Sequence, residues 1–344
     1  MKITIPDDYV GAARQLPSFS KVAAHEVEIW SDIVRDPAIL ASRLKETEAI
    51  VLIRERTKIT ERILSGAPKL RMLTINGPCP HVDVGACTRR GVLVCASHPR
   101  QPRGAAELTW ALILASMRNI PQEVQRLKSG QWQGSLGRSL RGRTLGIYGY
   151  GRIGSALAEY GKAFGMDVLV WSRRRGRDAA AAAGLATVAT KEELFRRSDV
   201  LTLAIRLVPE TRGSITAADL ASMKPSALFV NTARDGLVEP GALVAGLKKG
   251  RPAFAVVDVY DEEPLTRTDH PLLQLPNAIC TPHLGFVEAE QLDDYFSDQY
   301  DRILAYASGK PVDVINPEAL NHKHFAGRVI SALRPRGPTK GTLS

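Results

Sequence analysis

Cysteine is scarce: Cys79, Cys87, Cys95 and Cys280 are the only four in 344 residues, with no Cys-x-x-Cys pair and no histidine at zinc-site spacing. A metal site built on thiolates is thereby set aside, no metal is expected, and reduced, mostly buried thiols are. Long apolar runs are missing too. The longest uncharged one, 108–117, is well short of the roughly 20 residues that span a bilayer. The opening residues reach Asp7 and Asp8 without the apolar core of a secretion signal. A soluble, cytoplasmic protein with no membrane partner is expected. No internal repeat is visible, which sets aside solenoids.

Acidic residues are outnumbered, 36 against 46 Lys and Arg, for a formal net charge of +10. Location decides what this means. Residues 319–344 carry Lys323, Arg328, Arg334, Arg336 and Lys340 and no acid, and a second basic cluster is Arg173, Arg174, Arg175 and Arg177. The surplus is local and no groove-reading motif accompanies it, so no nucleic-acid partner is expected.

What is present is a chain of strands alternating with helices, long enough for two cores. Strands are expected at 2–6, 49–53, 70–75 and 91–95, with helices at 38–45 and 60–67 between them. A Pro/Gly loop at 99–104 marks a boundary. A strong helix at 105–119, closed by Pro121, follows, and then a Gly/Ser/Arg-rich link over 127–143. Further strands are expected at 144–147, 167–171, 200–205, 227–231, 254–258 and 279–280, with helices at 191–196, 217–222 and 240–248. A long helix is expected at 288–307, placed to return to the first core so that the chain crosses twice between domains, and Pro311 and Pro317 end the folded part. The expected division is a first domain of 1–102 plus 289–318, a nucleotide domain of 103–288, and a basic tail of 319–344.

The organising stretch is Gly149, Tyr150, Gly151, Arg152, Ile153, Gly154. It follows an apolar strand and opens an amphipathic helix, and the strand Val168, Leu169, Val170, Trp171 comes next. In this context Gly149 serves the tight turn, Gly151 lets backbone approach a pyrophosphate, and Gly154 lets helix and strand lie close. The helix N-terminus offers its unpaired N–H groups to the anion. About 20 residues past such a loop an acid usually takes the ribose 2′-hydroxyl. Here Ser172, Arg173 and Arg174 stand in that place, a set that would welcome a 2′-phosphate. The alternative is a solvated basic surface.

Three polar side chains follow successive strands of this sheet, at the edge where open parallel sheets bind ligands. They lie in Asn231-Thr232-Ala233-Arg234, in Asp258 to Glu263-Pro264, and in Thr281-Pro282-His283-Leu284-Gly285. Singly, the arginine reads as a surface residue, the glutamate as a turn and the histidine as a loop brace. Together they resemble the D-isomer-specific 2-hydroxyacid dehydrogenase family, and the resemblance runs over most of 1–318.

The resemblance implies two doubly wound parallel-sheet α/β domains: a flavodoxin-like substrate domain and an inserted Rossmann dinucleotide-binding domain. It also implies a homodimer and a nicotinamide cofactor, NADP or NAD. It implies that Arg234, Glu263 and His283 are catalytic: His283 exchanges a proton with the substrate oxygen, Glu263 favours the imidazolium and fixes the ring, and Arg234 holds the carboxylate. Thr232, Ala233, Asp258 and Gly285 are expected beside the dinucleotide. Glu263 argues against a formate dehydrogenase, whose histidine pairs with glutamine.

The loop that takes the substrate carboxylate in relatives reads Asn76-Gly77-Pro78-Cys79-Pro80-His81 here. Pro78 and Pro80 have no N–H to donate, which leaves Asn76 and Gly77 as the expected donors. The expected substrates are small 2-oxo acids such as glyoxylate and hydroxypyruvate, with phosphorylated ones second. No C-terminal regulatory domain fits after 318. Alternatives are a dinucleotide-sensing scaffold resembling the corepressor relatives and, less so, a phosphonate-type reductase.

Overall fold

The computed structural model describes residues 1–97 and 104–325, so the expected loop at 99–104, apart from Gly104, and the part of the expected tail of 319–344 that follows Phe325 lie outside the described residues. The chain divides into two compact units, one of 1–100 with 289–344 and one of 101–288.

The first unit begins with β1 (Lys2–Ile5) and β2 (Glu26–Ile29). It continues through α1 (Pro37–Arg43), β3 (Ala49–Val51), α2 (Glu61–Ser65), β4 (Met72–Asn76), α3 (Val84–Arg89) and β5 (Leu93–Ser97). All pairs are parallel and the order is β2-β1-β3-β4-β5. This is the flavodoxin-like order, whose direction reverses between β1 and β3. β3 is buried throughout, as a strand covered on both faces must be. Asp36 and Asp83 cap α1 and α3 by accepting from Ala38 and Ala86 N–H groups.

The second unit holds α4 (Gly104–Met117), α5 (Ile120–Lys128), β6 (Thr144–Tyr148), α6 (Arg152–Ala163), β7 (Asp167–Trp171), α7 (Arg174–Ala182) and β8 (Ala186–Thr187). Then come α8 (Lys191–Arg197), β9 (Val200–Leu203), α9 (Ala217–Ser222), β10 (Leu228–Asn231), α10 (Ala242–Lys248), β11 (Phe254–Val257) and β12 (Ala278–Cys280). Its seven strands run in the order β12-β11-β10-β9-β6-β7-β8, again all parallel. The order reverses between β6 and β9, which makes the carboxyl ends of those strands the crevice of a doubly wound sheet.

Side chains alternate across this sheet. Leu228 and Val230 of β10 join the core on one face with Leu145, Ile147 and Val170, while Phe229 joins the other with Phe195, Leu201 and Leu237. A period of two with both directions apolar is what a strand sandwiched between helices requires.

The chain closes with α11 (Ala289–Ala307), which belongs to the first unit. Tyr295 Oη donates to Leu52 O at 3.1 Å and accepts the Arg54 N–H at 2.8 Å. Arg302, only 2% exposed, ion-pairs with Asp313 at 2.9 Å and donates to Asn76 Oδ1 at 2.7 Å and to Ser97 Oγ. A buried guanidinium must be satisfied on most of its donors, and this one is satisfied by the ends of β4 and β5.

Candidate active site

The glycine loop joins β6 to α6 across Gly149, Tyr150 and Gly151. Gly149 has φ +103°, and a Cβ there would lie 2.2 Å from Ile205 Cγ2 and 2.7 Å from Ala204 O. No other residue fits that turn. A Cβ on Gly154 would stand 2.5 Å from Gly149 O, so its absence sets how closely α6 approaches the loop.

Gly151 differs, because no heavy atom lies within 4 Å of its missing Cβ. It is the N-cap of α6 and contributes no side-chain hydrogen bond, so the first-turn N–H groups gain no side-chain partner from it. An open approach to an uncapped 12-residue helix is the cradle that a pyrophosphate needs, and the residues present fit a dinucleotide.

At the end of β7 the Tyr150 N–H donates to Ser172 Oγ at 3.4 Å. A Cβ on Gly176 would collide with that hydroxyl at 2.2 Å, so the glycine lets α7 start against the loop. Arg173 is the N-cap of α7, and Arg173, Arg174 and Arg175 are exposed.

Arg234 follows β10 on a loop braced by Asn231, whose Oδ1 accepts the Ala233 N–H at 3.1 Å and whose Nδ2 donates to Arg234 O at 3.0 Å. Thr232 Oγ1 shares a 2.7 Å hydrogen bond with Thr109 Oγ1 of α4. Glu263 and His283 come together: Glu263 Oε2 lies 2.5 Å from His283 Nδ1. Glu263 Oε1 accepts the Tyr260 N–H at 2.9 Å. Burial works to raise the Glu263 carboxyl, but the hydrogen bond and charge of His283, the Tyr260 N–H and the Arg234 cation outweigh it and hold the group below the usual carboxylate range.

His283 has φ +53°, a left-handed backbone that an imidazole adopts only when its loop is fixed. The fixing comes from Asp258, which is fully buried after β11. Its Oδ1 accepts from Thr281 Oγ1 at 2.6 Å and from the Leu284 N–H at 2.9 Å, and its Oδ2 accepts the Gly285 N–H at 3.1 Å. Burial pushes the Asp258 carboxyl up, and these three hydrogen bonds act against that. Both oxygens are thus committed to the loop that carries His283. With Nδ1 engaged by a carboxylate, Nε2 is the ring atom left to face a substrate oxygen.

Glycine loop, Ser172, Arg234, Glu263 and His283 all follow carboxyl ends of strands in one parallel sheet, and so share one edge of it. Asn76 and Gly77, the donors expected for the substrate carboxylate, belong to the first unit. Asn76 is 5% exposed, with Nδ2 donating to Tyr295 O at 3.0 Å and Oδ1 held by Arg302, and the Gly77 N–H donates to Ser97 O at 2.7 Å. One N–H of the Asn76 amide and the Gly77 N–H are thus engaged inside the unit, as the buried end of β4 requires. The N–H groups of Cys79 and His81 donate to no other residue among the described ones.

Asn231 and Thr281, which open two of the motifs without an expected role, and Tyr260 touch the site residues directly. Their signal was adjacency to Arg234, His283 and Glu263. The four cysteines are all free, no group of three His, Cys, Asp or Glu able to hold a metal occurs among the described residues, and none of their helices is long and apolar enough to cross a membrane.

The model of the D-isomer specific 2-hydroxyacid dehydrogenase NAD binding domain matches residues 110–285. The chain is 36% identical over 312 residues to a glyoxylate reductase of Aeropyrum pernix, covering 86% of this chain and 91% of that one. It is 37% identical over 263 residues to a D-3-phosphoglycerate dehydrogenase of Methanocaldococcus jannaschii, covering 76% of this chain and 49% of that longer one. Among solved structures, an oxidoreductase from Ralstonia solanacearum superposes with a TM-score of 0.89 at 45% identity, covering 93% of this chain and 98% of that one. The fold agrees with these likenesses: the chain belongs to the D-isomer specific 2-hydroxyacid dehydrogenase family, NAD(P)-dependent oxidoreductases that move a hydride between a nicotinamide dinucleotide and a 2-oxo acid/D-2-hydroxy acid pair.

Proposed function

We propose that this enzyme reduces small 2-oxo acids of the glyoxylate and hydroxypyruvate kind with NADPH preferred over NADH, with His283, Glu263 and Arg234 as its catalytic residues. The observation that carries the residue roles is the 2.5 Å contact of His283 Nδ1 with Glu263 Oε2, which leaves Nε2 to the substrate. The bound dinucleotide supplies the hydride. Gly151 and the first turn of α6 would hold its pyrophosphate, Gly149 and Gly154 would shape the loop for it, and Tyr150, Arg152 and Ile153 would line that approach. Thr232, Ala233 and Gly285, at the exits of β10 and β12, would border the nicotinamide, and Asp258 would act there through the loop that it ties down.

In reduction, His283 Nε2–H donates its proton to the carbonyl oxygen as charge develops on it. Glu263 keeps the imidazolium in place and orients the ring. Arg234 presents two parallel N–H groups to the substrate carboxylate and polarises the neighbouring carbonyl. In oxidation the neutral imidazole takes the hydroxyl proton instead.

Preference for NADPH is supported by Ser172, Arg173 and Arg174 at the end of β7, where no carboxylate stands to repel a 2′-phosphate. The test is a panel of 2-oxo acids with each reduced cofactor. The expected result is kcat/KM at least about tenfold higher with NADPH, an advantage of about 1.4 kcal/mol that Ser172→Asp abolishes. A large NADH preference refutes the cofactor reading. Tight dinucleotide binding with no turnover on the whole panel would support the scaffold alternative instead.

A further inference from the structure

We infer that Tyr260 is a positioning residue for the proton-handling pair, closing a ring of hydrogen bonds that seats Glu263 and His283 against each other. The inference rests on the reading of Glu263 and His283 given above. Tyr260 lies between Asp258 and Glu263, is 9% exposed, and reaches both partners by different atoms. Its N–H donates to Glu263 Oε1 at 2.9 Å. Its hydroxyl donates to Thr281 O at 2.9 Å. The same carbonyl accepts the His283 N–H at 3.1 Å. Glu263 Oε2 then meets His283 Nδ1 at 2.5 Å, which completes the circuit from one residue back to itself.

The circuit matters because neither partner is held by a regular element. His283 sits at φ +53° and Glu263 on a loop between β11 and β12. A phenol hydroxyl that braces one carbonyl is what couples those loops near the reacting atoms. The ring of Tyr260 is itself fixed, packed edge-on against His270 with centroids 5.5 Å apart. Burial, with Cys280, Asp258 and Glu263 beside it, pushes the phenol well above its ordinary value, so the hydroxyl remains a donor across the working range.

Other charged groups are present. Asp258 and the imidazole of His283 feel each other, and Arg234 acts on Glu263 from the exit of β10. Asp235 is held up by burial first and by Asp261 and Glu263 after it, with His270 opposing. All of these remain in place when only the Tyr260 hydroxyl is removed, so a change in pH behaviour reports the hydroxyl.

The experiment compares the wild-type enzyme with Tyr260→Phe and His283→Ala, recording kcat and KM for glyoxylate and for each reduced dinucleotide across pH, with Tm alongside. In Tyr260→Phe we expect kcat to fall about three- to tenfold, the effect of one lost hydrogen bond. We expect the alkaline limb of kcat to move by about half a unit toward acid as the carboxylate and imidazole loosen. KM for the dinucleotide stays unchanged and Tm close to that of the wild type. A superimposable pH profile with kcat within about twofold overturns the inference, as does a uniform loss at every pH that tracks a lowered Tm. His283→Ala separates the two readings. If it retains activity, the catalytic pair itself is wrong; if it is inactive while Tyr260→Phe behaves as wild type, only the role of Tyr260 falls.

Discussion

At the scale of single residues the chemistry turns on which atoms are already occupied. His283 Nδ1 is taken, so replacing the ring should remove the proton donor without disturbing the dinucleotide: His283→Ala is expected to lower kcat about 10³-fold with the dinucleotide Kd unchanged, read by steady-state kinetics and fluorescence titration. Arg234→Lys keeps the charge and loses the fork. It should raise KM for the 2-oxo acid more than tenfold, a loss of about 2 kcal/mol, and an unchanged KM would remove the arginine from the site.

Glu263 gives a pH prediction with a defined sign. Its folded-state carboxyl lies below the ordinary 4.5, so its contribution to stability is present above that value and is lost as pH falls through the lower folded one. Tm of the wild type should therefore drop more steeply than that of Glu263→Gln as pH goes below about 4.5, followed by circular dichroism. Parallel curves would show that the carboxylate is not held by the histidine.

At the scale of elements the glycine loop separates folding from binding. Gly149→Ala places a Cβ in a left-handed turn against Ile205 and should lower Tm as well as abolish cofactor binding. Gly151→Ala meets nothing within 4 Å, so the fold should be untouched while dinucleotide affinity drops at least about tenfold. Equal affinity would mean that the pyrophosphate lies elsewhere.

This contrast between glycines was legible in the motif, as were the buried strands and the polar residues at their ends. The rest was not, for reasons that differ by element. α7 reads Arg174 to Ala182 with Ala180 as its buried residue, so no apolar stripe announces it. β8 is two residues long at the sheet edge, and its identity comes from pairing with β7. Pro121 looked like the stop of the preceding helix. It lies in the first turn of α5 instead, where a missing N–H is harmless, after Asn119 breaks the chain at φ +53°. The engagement of Asn76 was illegible because its partners, Tyr295 and Arg302, lie 219 and 226 positions away.

At the scale of the whole molecule, one surface of the second unit lacks a covering. Ile120, Val124 and Leu127 of α5 are exposed, at 48, 44 and 61%, and Trp132 and Leu136 that follow reach 75 and 96%. A soluble monomer seldom leaves that much apolar area clustered. We propose that a homodimer forms on this surface, which the apolar patch supports. Val124→Glu with Leu127→Glu should convert a species of about twice 37.4 kDa into one of 37.4 kDa by light scattering. A monomeric wild type would overturn this.

One further consequence comes from Gly285, whose Cβ position lies 3.6 Å from Ala105 Cβ. Ala105 and Gly285, near the two ends of the second unit, are therefore neighbours within it. Such a module tolerates excision: residues 104–288 expressed alone should fold and bind dinucleotide, and a host chain rejoined by a short bridge should keep its own sheet. Recombination that swaps one such module for another would exchange the electron carrier together with Arg234, Glu263 and His283, which all lie within it.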